Sequence, residues 1–479
     1  MFPAVLFLLV CCGSLFAQTL PENRYNVVLI CVDDLRPELG CYGADHVISP
    51  NIDQLAEQGL RFQQHYVMVP SCGASRYAML TGRRPSVSGG RGHGSCHKGE
   101  SALDLQPHPG AQTMPELFRR NGYATACFGK VSHNGNGLFS EENKEVRAEV
   151  PHAWDKLPTA YGSLKSYVGA VDGTPLLQFP DCTDEDLPDG KMAQACIEQL
   201  SRYAADQQRF FIAVGFHKPH LPFVAPEKYR RLYDEVEVPL APNSTRGDTA
   251  YWHPSDEFYK QYNIPWERPF SQQTATELRK AYMACVTYTD TQIGKVLRAL
   301  NDLQLAGNTI VLLWGDHGWL LGDHDIWGKH TVLEQGVNSP LIIAVPGMKH
   351  AGQATDAIVE SVDIYPTLTE LCNLSFRKTR FPFDGYSLLP VLDHPEHPGK
   401  VAAISYYRSH TKGYNEMRGL RTSRYRLAVH LKKGSPDPEL VELYDLQEDP
   451  LETRNIAKAR PELTARLLDM LKKDHPIID

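Results

Sequence analysis

Cysteine is scarce in this sequence, with 11 in 479 residues, and no two cysteines stand in a CxxC spacing. Zinc clusters are typically built from such closely spaced pairs, and small disulfide scaffolds need a much higher cysteine density. The composition therefore argues against both classes. Once Cys11 and Cys12 are set aside with the N-terminal segment, nine cysteines remain. An odd number leaves one without a disulfide partner, and we expect that one to be Cys72.

Positive charge is also in short supply. Lys and Arg together number 49 against 57 for Asp and Glu, which gives a net charge of −8. The sequence has no long basic stretch that would follow a phosphate backbone. We therefore expect no nucleic-acid partner.

The longest apolar run lies at residues 1–17, MFPAVLFLLVCCGSLFA. It is too short for a comfortable transmembrane span and ends in small residues, which is typical of a secretion signal. We expect cleavage near Ala17, no stable membrane span, and an extracytoplasmic protein that is periplasmic, secreted or lysosomal. Because this run has no Lys or Arg, a buried N-terminal segment remains the alternative.

The rest of the chain alternates helix and strand patterns. The apolar run YNVVLICV, residues 25–32, is typical of a buried parallel strand and ends at Asp33-Asp34. A long helical pattern at residues 273–300 precedes a strand at 309–314, which ends at Gly315-Asp316-His317. Further helix and strand pairs are predicted at residues 113–120 and 123–128 and at 190–205 and 210–216. Such alternation predicts an α/β fold, with a mostly parallel sheet flanked by helices.

Two segments depart from this alternation. Residues 222–269 are aromatic, proline-rich and aperiodic, and we expect them to cross the active edge of the sheet and shape a substrate pocket. From about Ala402 the pattern changes to short strands, followed by a final helix at residues 461–473. We therefore divide the chain into a signal at 1–17, a catalytic domain at 18–400 and a smaller C-terminal α+β subdomain at 401–479.

The motif with the most chemical content is CGASR at residues 72–76, followed by LTGR at 80–83. It resembles the signature of the type I sulfatases, with Ala74 at a position where proline also occurs. The resemblance implies that a formylglycine-generating enzyme, a transient partner that reads Ser75 and Arg76, oxidises Cys72 to formylglycine. A structural cysteine before a helix is the alternative for Cys72 alone. If a helix begins near Gly73, its free N–H groups would face an anionic ester.

The acidic strand ends predict a metal site. Asp33, Asp34 and Asp316 would meet at one edge of the sheet, and carboxylates together with a formylglycine oxygen suit a hard divalent cation. The family resemblance implies a calcium ion, with Cys72 and His317 in the ligand set. Each acidic pair alone would more often be a solvated strand end. Sulfatases more commonly have asparagine where this chain has His317, so its direct contact with the metal stays open.

Cationic and histidine-containing motifs follow other predicted strands: Gly129-Lys130-Val131-Ser132-His133, His217-Lys218-Pro219-His220 and Trp327-Gly328-Lys329. Taken singly, such residues are usually solvated or structural. A sulfate ester, however, needs positive charge on its oxygens and a proton for the departing alcohol. The resemblance implies that Lys130 and Lys329 bind sulfate, that His133 supports the formylglycine hydroxyl and that His220 is the general acid. Arg76 is added to the catalytic set as part of the signature. Two roles stay open for His217 and Lys218: lining the pocket or holding the turn.

The resemblance also extends to a particular branch. Residues 32–37 (VDDLRP), 40–43 (GCYG) and 315–319 (GDHGW) are similar to the iduronate-2-sulfatase-like sulfatases. This implies an alkaline-phosphatase-like fold and a sulfated carbohydrate substrate, which we expect to be a 2-O-sulfated uronic acid or a related sugar in a polysaccharide fragment. Candidates for a cationic side chain that binds a sugar carboxylate are Arg36, Arg84, Arg91 and Lys98.

Two other functions compete with this interpretation. A phosphatase or phosphonate monoester hydrolase of the same fold also handles tetrahedral anions, although zinc phosphatases use more histidine ligands and a hydroxyl nucleophile. A non-catalytic binder of sulfated glycans would result if Cys72 is never oxidised.

Overall fold

The computed structural model describes residues 25–84, 113–133, 153–155, 175–245, 269–375, 383–407, 416–432, 435 and 437–474. The predicted signal at 1–17 lies outside these residues, as do Arg91, Lys98 and residues 246–268 of the predicted excursion. Within the described part of the chain, no helix is both long and apolar enough to cross a membrane.

A seven-stranded sheet forms the centre of the fold, in the order β11-β2-β10-β7-β1-β5-β3. Two pairs of two-residue strands, β4 with β6 and β8 with β9, lie outside it. The first eleven strands are β1 (Asn26–Val32), β2 (Leu60–Tyr66), β3 (Ala124–Gly129), β4 (Leu177–Gln178), β5 (Phe210–Phe216), β6 (Phe223–Val224), β7 (Thr309–Gly315), β8 (Leu320–Leu321), β9 (Trp327–Gly328), β10 (Leu341–Ala344) and β11 (Ala354–Glu360).

The prediction of a mostly parallel sheet is confirmed, with β10 as its exception. This strand runs antiparallel to both of its neighbours, β2 and β7. A parallel return would need a crossover, usually a long helix, whereas residues 316–340 contain only short elements. The chain therefore stays at the edge where β7 ends and runs back from there, a reversal that the sequence analysis did not predict.

The helices cover both faces of the sheet. They are α1 (Pro50–Gln58), α2 (Cys72–Thr81), α3 (Met114–Arg120), α4 (Pro188–Ala205), α5 (Glu227–Arg231), α6 (Gln272–Asp302), α7 (Glu334–Val337), α8 (Ile364–Leu371), α9 (Leu389–Asp393) and α10 (Pro461–Asp474). Alternate residues of β1 enter different cores. Val28 and Ile30 pack in a cluster with residues of α4 and α6, while Val27 and Leu29 pack with residues of α3 and α8. Burial on both faces explains why this strand is apolar throughout.

The register of the sheet brings the residues of the candidate site together. Val32, the last residue of β1, pairs with Phe216 of β5 and with Gly315 of β7. The N–H of Asp33 donates to the carbonyl of Phe216 at 3.2 Å, and the N–H of Asp316 donates to that of Val32 at 3.1 Å. The residues that follow these three strands therefore meet at one edge.

A second sheet, antiparallel and four-stranded, consists of β12 (Ala402–Tyr407), β13 (Glu416–Thr422), β14 (Tyr425–Leu431) and β15 (Leu440–Asp445). It begins just after the predicted division at residue 400 and packs with α10. It joins the larger part through Ser405 and Tyr406, which hydrogen bond to the carbonyls of Val67 and Met68 at 2.7 and 2.8 Å.

Candidate active site

Cys72 is the first residue of α2, and Ser71 precedes it in extended conformation. Every residue of this helix is buried, so its free N-terminal N–H groups lie inside the protein around the cysteine. Burial and then the Asp33 carboxylate raise the pKa of the Cys72 thiol. The unmodified side chain is therefore a neutral thiol rather than a thiolate.

Arg76, one turn along α2, lies behind the acidic residues. Its Nε donates to Asp316 Oδ2 at 3.0 Å, and the guanidinium also donates to the carbonyls of Lys130 and Val131. Ser75 donates to the carbonyl of Asp316. These contacts tie α2 to β7 and to the end of β3. The Arg76 side chain is fully buried against protein groups, and its catalytic role stays a prediction.

Asp33, Asp34 and Asp316 come together as predicted from the strand ends. The N–H of Asp34 donates to Asp316 Oδ1 at 3.1 Å, and all three side chains are buried. Burial by itself raises the pKa of Asp33, yet Lys130, followed by His220 and Arg76, holds it well below its usual range. Burial, and next the Asp33 carboxylate, raise the pKa of Asp316. Three acids in so small a space require cationic partners.

Four side chains place potential metal ligands within 4.8 Å of one another: Asp33, Asp34, Cys72 and His317. His317 Nε2 lies 3.3 Å from Cys72 Sγ and 3.5 Å from Asp34 Oδ1. Asp316 is outside this set of four. Its Oδ1 nevertheless lies 3.5 Å from His317 Nε2, and its Oδ2 accepts from Arg76.

A cation fits this group of residues. Asp33 Oδ1 and Asp34 Oδ2 are buried oxygens that accept no hydrogen bond from the described residues. Buried carboxylate oxygens are normally satisfied, and hard divalent cations are bound by such oxygens.

The two predicted lysines reach into the same space. Lys130 Nζ forms an ion pair with Asp33, and Lys329 Nζ lies 2.8 Å from Asp34 Oδ1 and 3.2 Å from Cys72 Sγ. Lys329 Nζ also lies 5.3 Å above the ring of Trp319. Both lysines are buried, so their charges are available only to groups inside the site.

His220 enters from the segment after β5. Its Nδ1 is 2.6 Å from the carbonyl of Leu221, which leaves Nε2 directed toward the site, 4.0 Å from Asp34 Oδ2. Burial alone would lower the pKa of His220, but the Asp34 carboxylate outweighs it, and the pKa rises to about 10. His133 is half-buried at the end of a described range, and its supporting role stays a prediction.

The open choice for Lys218 is decided by its contacts. Its Nζ donates to the carbonyls of His220 and Pro222, both at 2.6 Å, so it holds the turn rather than lining the pocket. Asp189, at the start of α4, accepts the backbone N–H groups of His217 at 3.1 Å and Lys218 at 2.8 Å. The sequence analysis missed Asp189, whose acidic position at a helix start was a weak signal.

Tyr282 of α6 was also missed. Its hydroxyl donates to the carbonyl of Asp34 at 2.8 Å and accepts from the N–H of Arg36 at 3.1 Å. Asp34 has a φ of 59°, which non-glycine residues adopt infrequently. No sequence signal marks one tyrosine in a long helix as a support for this turn.

Two expectations were wrong. Arg36 is not a spare cation, since it pairs with Asp323 at 2.9 Å and Glu38 at 3.1 Å, and Arg84 pairs with Glu360. Both guanidinium groups lie largely buried beside carboxylates that already compensate their charge. The odd cysteine count also carries no weight, because other cysteines are free thiols like Cys72: Cys31, Cys41, Cys127, Cys182 and Cys285.

Comparisons with known proteins agree with this geometry. Residues 25–374 match the family model described as Sulfatase, and residues 322–475 match the one described as N-sulphoglucosamine sulphohydrolase, C-terminal. The iduronate 2-sulfatase of Mus musculus is 33% identical over 400 residues, which cover 74% of this chain and 69% of that protein.

Solved structures show the same fold. The phosphonate monoester hydrolase from Silicibacter pomeroyi has a TM-score of 0.75 at 23% identity, over 94% of this chain and 95% of that one. A 2-O GAG sulfatase has a TM-score of 0.69 at 21% identity, over 95% and 93%. The predicted alkaline-phosphatase-like fold is confirmed. The chain therefore belongs to the type I sulfatases, the sulfuric ester hydrolases, and is similar to their iduronate-2-sulfatase branch.

Proposed function

We propose that this sulfatase releases sulfate from a sulfated carbohydrate, using formylglycine at position 72 and a calcium ion. The observation that carries the proposal is the position of Cys72. It lies at a buried helix N-terminus, with Lys329 Nζ at 3.2 Å and His317 Nε2 at 3.3 Å. A cysteine with only a structural role would not require buried ionic groups around it.

The residues that would hold calcium are Asp33, Asp34, Asp316 and His317, together with the modified side chain at position 72. Oxygen donors dominate this set, which favours calcium over a soft metal. When bound, the ion would neutralise charge on the sulfate oxygens and polarise the attacking hydroxyl. The formylglycine hydrate would supply one hydroxyl for attack on sulfur and a second that later expels the sulfate.

The chain's own residues perform the remaining work. With a cation bound to the carboxylates, Lys130 and Lys329 would turn their charge toward the sulfate oxygens, and the N–H groups that open α2 would add to that field. His220 presents Nε2 to the site because its Nδ1 lies 2.6 Å from the carbonyl of Leu221, and the Asp34 carboxylate raises its pKa. His220 would give its proton to the departing sugar oxygen.

We further propose a 2-O-sulfated uronic acid at the non-reducing end of a polysaccharide fragment as the substrate. The names iduronate 2-sulfatase and 2-O GAG sulfatase, given to a relative and to a structural neighbour, support this choice. The test is a panel of oligosaccharides sulfated at position 2, 3, 4 or 6, with and without a terminal uronate. Preference for a 6-sulfated hexosamine, or indifference to the carboxylate, would defeat the uronate assignment alone.

The structural likeness to a phosphonate monoester hydrolase keeps that activity as the rival. Mass spectrometry of the peptide around Cys72 tests the modification, because formylglycine replaces the thiol sulfur with an aldehyde oxygen. The same preparation is then given matched sulfate, phosphate and phosphonate esters. We expect conversion and preferred sulfate release. A preferred phosphonate ester would establish the rival, and an unconverted Cys72 without activity would leave a sulfated-glycan binder.

Two further parts of the proposal concern the cell. Conversion of Cys72 requires a transient encounter with a formylglycine-generating enzyme before burial of α2 is complete. An extracytoplasmic location is supported by the apolar run at residues 1–17. N-terminal sequencing of the protein isolated from its source tests that location, with cleavage near Ala17 as the expected result.

A further inference from the structure

Lys329 is the first residue of a short segment, residues 329–334. The last residues of this segment are hydrogen bonded to the C-terminal sheet. Arg426 of β14 donates from one guanidinium nitrogen to the carbonyl of Val332 at 2.6 Å and from the other to Glu334. Its side chain is 1% exposed. A planar guanidinium with two fixed partners on one segment restricts both its position and its rotation.

Glu452 supplies a second attachment. Its Oε1 forms an ion pair with Arg426 Nε at 2.9 Å, and its Oε2 accepts the backbone N–H of Glu334 at 2.9 Å. Glu452 is fully buried and has a φ of 54°. Its carboxylate therefore bridges the arginine and the same segment from a conformation that the surrounding structure must enforce.

Glu334 gathers further partners around this attachment. Its Oε2 accepts from Arg421 Nε at 3.0 Å, and its Oε1 accepts from the hydroxyl of Tyr66 at 2.7 Å. Two glutamates and two arginines thus form one buried polar cluster between the central sheet and the C-terminal sheet. Removing one member would leave a buried charge without compensation.

Apolar packing joins the same segment to the cysteine helix. Val332 lies in a cluster with Ala74 and Ala78 of α2 and with Met417 and Ala428 of the C-terminal sheet. Backbone approach is close, since a side chain at Gly419 of β13 would begin 3.0 Å from the Val332 side chain. The C-terminal sheet therefore contacts the segment that carries Lys329 and shares an apolar cluster with the helix that begins at Cys72.

We propose that Arg426 is a positioning residue for the sulfate-binding lysine, so that the C-terminal sheet forms part of the catalytic apparatus. The inference rests on the proposed role of Lys329. Lys329 Nζ is directed between Asp34 and Cys72, and its backbone is joined to the Arg426 cluster by a few residues only. A shift of Val332 and Glu334 would therefore also change the position of the Lys329 ammonium group.

The test is a double-mutant cycle with Arg426→Lys, Lys329→Ala and the pair, measured on the converted enzyme. A lysine at 426 keeps the charge but loses the planar set of guanidinium N–H donors. We therefore expect KM for a sulfate ester to rise by about tenfold, with a smaller change in kcat. Inhibition by inorganic sulfate should weaken by the same factor. In the Lys329→Ala background, Arg426→Lys should cause no further loss.

Arg424→Lys is the matched control. Arg424 lies in the connection between β13 and β14, two residues before Arg426, and it pairs with Asp445 at 2.7 Å rather than with residues 329–334. An equal effect of this control, or losses that multiply in the double mutant, would overturn the inference. Should Arg426→Lys show no cooperative thermal transition, Glu452→Gln takes its place in the cycle with the same expectations. An unchanged KM in Lys329→Ala would instead overturn the assignment of Lys329 itself, and this inference with it.

Discussion

The hydroxyl of Tyr282 donates a 2.8 Å hydrogen bond to the backbone carbonyl of Asp34, two residues beyond the end of β1. This bond joins the long helix α6 to the turn that carries the carboxylates of the proposed metal site. The turn has a left-handed backbone at Asp34, so its geometry depends on contacts from outside.

Replacing Tyr282 by Phe should therefore weaken binding of the proposed calcium ion by about tenfold, because a support of the ligand turn is lost. Isothermal titration of the calcium-free protein gives the affinity directly. Tyr233→Phe is the control, since that hydroxyl is also buried but contacts Thr287 and Ile48 instead. Equal affinities in Tyr282→Phe and the parent would refute the supporting role.

Cys72→Ala should abolish sulfate release while the protein stays folded, because the side chain supplies chemistry more than packing. Initial rates with an aryl sulfate and thermal unfolding curves measure the two properties. Cys41→Ala, which removes a thiol outside the site, should keep its activity. If Cys72→Ala retained a tenth of the parent rate, the formylglycine mechanism would be wrong.

His220→Gln should lower the rate by about a hundredfold on an alkyl sugar sulfate, the usual size of general-acid assistance. Nitrophenyl sulfate has a leaving group that hardly needs a proton, so its rate should fall much less. The ratio of the two losses is the measurement. Equal losses on both substrates would assign His220 to binding.

Removal of the metal should remove the activity, since the buried carboxylates would then retain Lys130 and Lys329 as partners. Chelation followed by addition of calcium should restore the parent enzyme but not the variant with Asp34→Asn and Asp316→Asn. Elemental analysis of each sample accompanies the rates. Full activity in a sample without bound metal would exclude the metal-dependent mechanism.

His65 predicts an acid-sensitive contribution to stability that is separate from catalysis. Its Nδ1 lies 2.9 Å from the Ser339 carbonyl and its Nε2 lies 3.0 Å from Ser361 Oγ. Burial lowers its pKa from 6.5 to about 4. Below pH 6.5 His65 binds a proton in the unfolded chain but not in the native protein. The free energy of unfolding therefore falls as the pH drops toward 4, by on the order of 3 kcal/mol.

Thermal unfolding between pH 4 and 7 checks this contribution. His65→Gln should be less stable at pH 7 because it loses hydrogen bonds, yet its unfolding temperature should depend less on pH than that of the parent. The same pH dependence in both proteins would show that His65 does not titrate in this way.

Much of the fold followed from local patterns. The predicted strand at residues 210–216 is β5, and the long helical pattern at 273–300 is the core of α6. The antiparallel β10 escaped prediction because a short apolar run carries no sign of its direction. Direction is decided by whether the preceding connection crosses the sheet.

The site divides in the same way. The sequence by itself determined which groups are proposed for the chemistry, because the CGASR motif and the acidic strand ends are local and their side-chain chemistry is fixed by residue type. Only the tertiary structure decided which cations are available. Lys329 Nζ lies 3.2 Å from Cys72 Sγ, whereas Arg36 pairs with Asp323. Tyr282 and Arg426 each bind a backbone carbonyl, of Asp34 and of Val332. Pairings across hundreds of residues depend on the order of the strands and on burial, because each buried charge needs a partner. Neither the strand order nor the burial can be predicted from the neighbouring residues in the sequence.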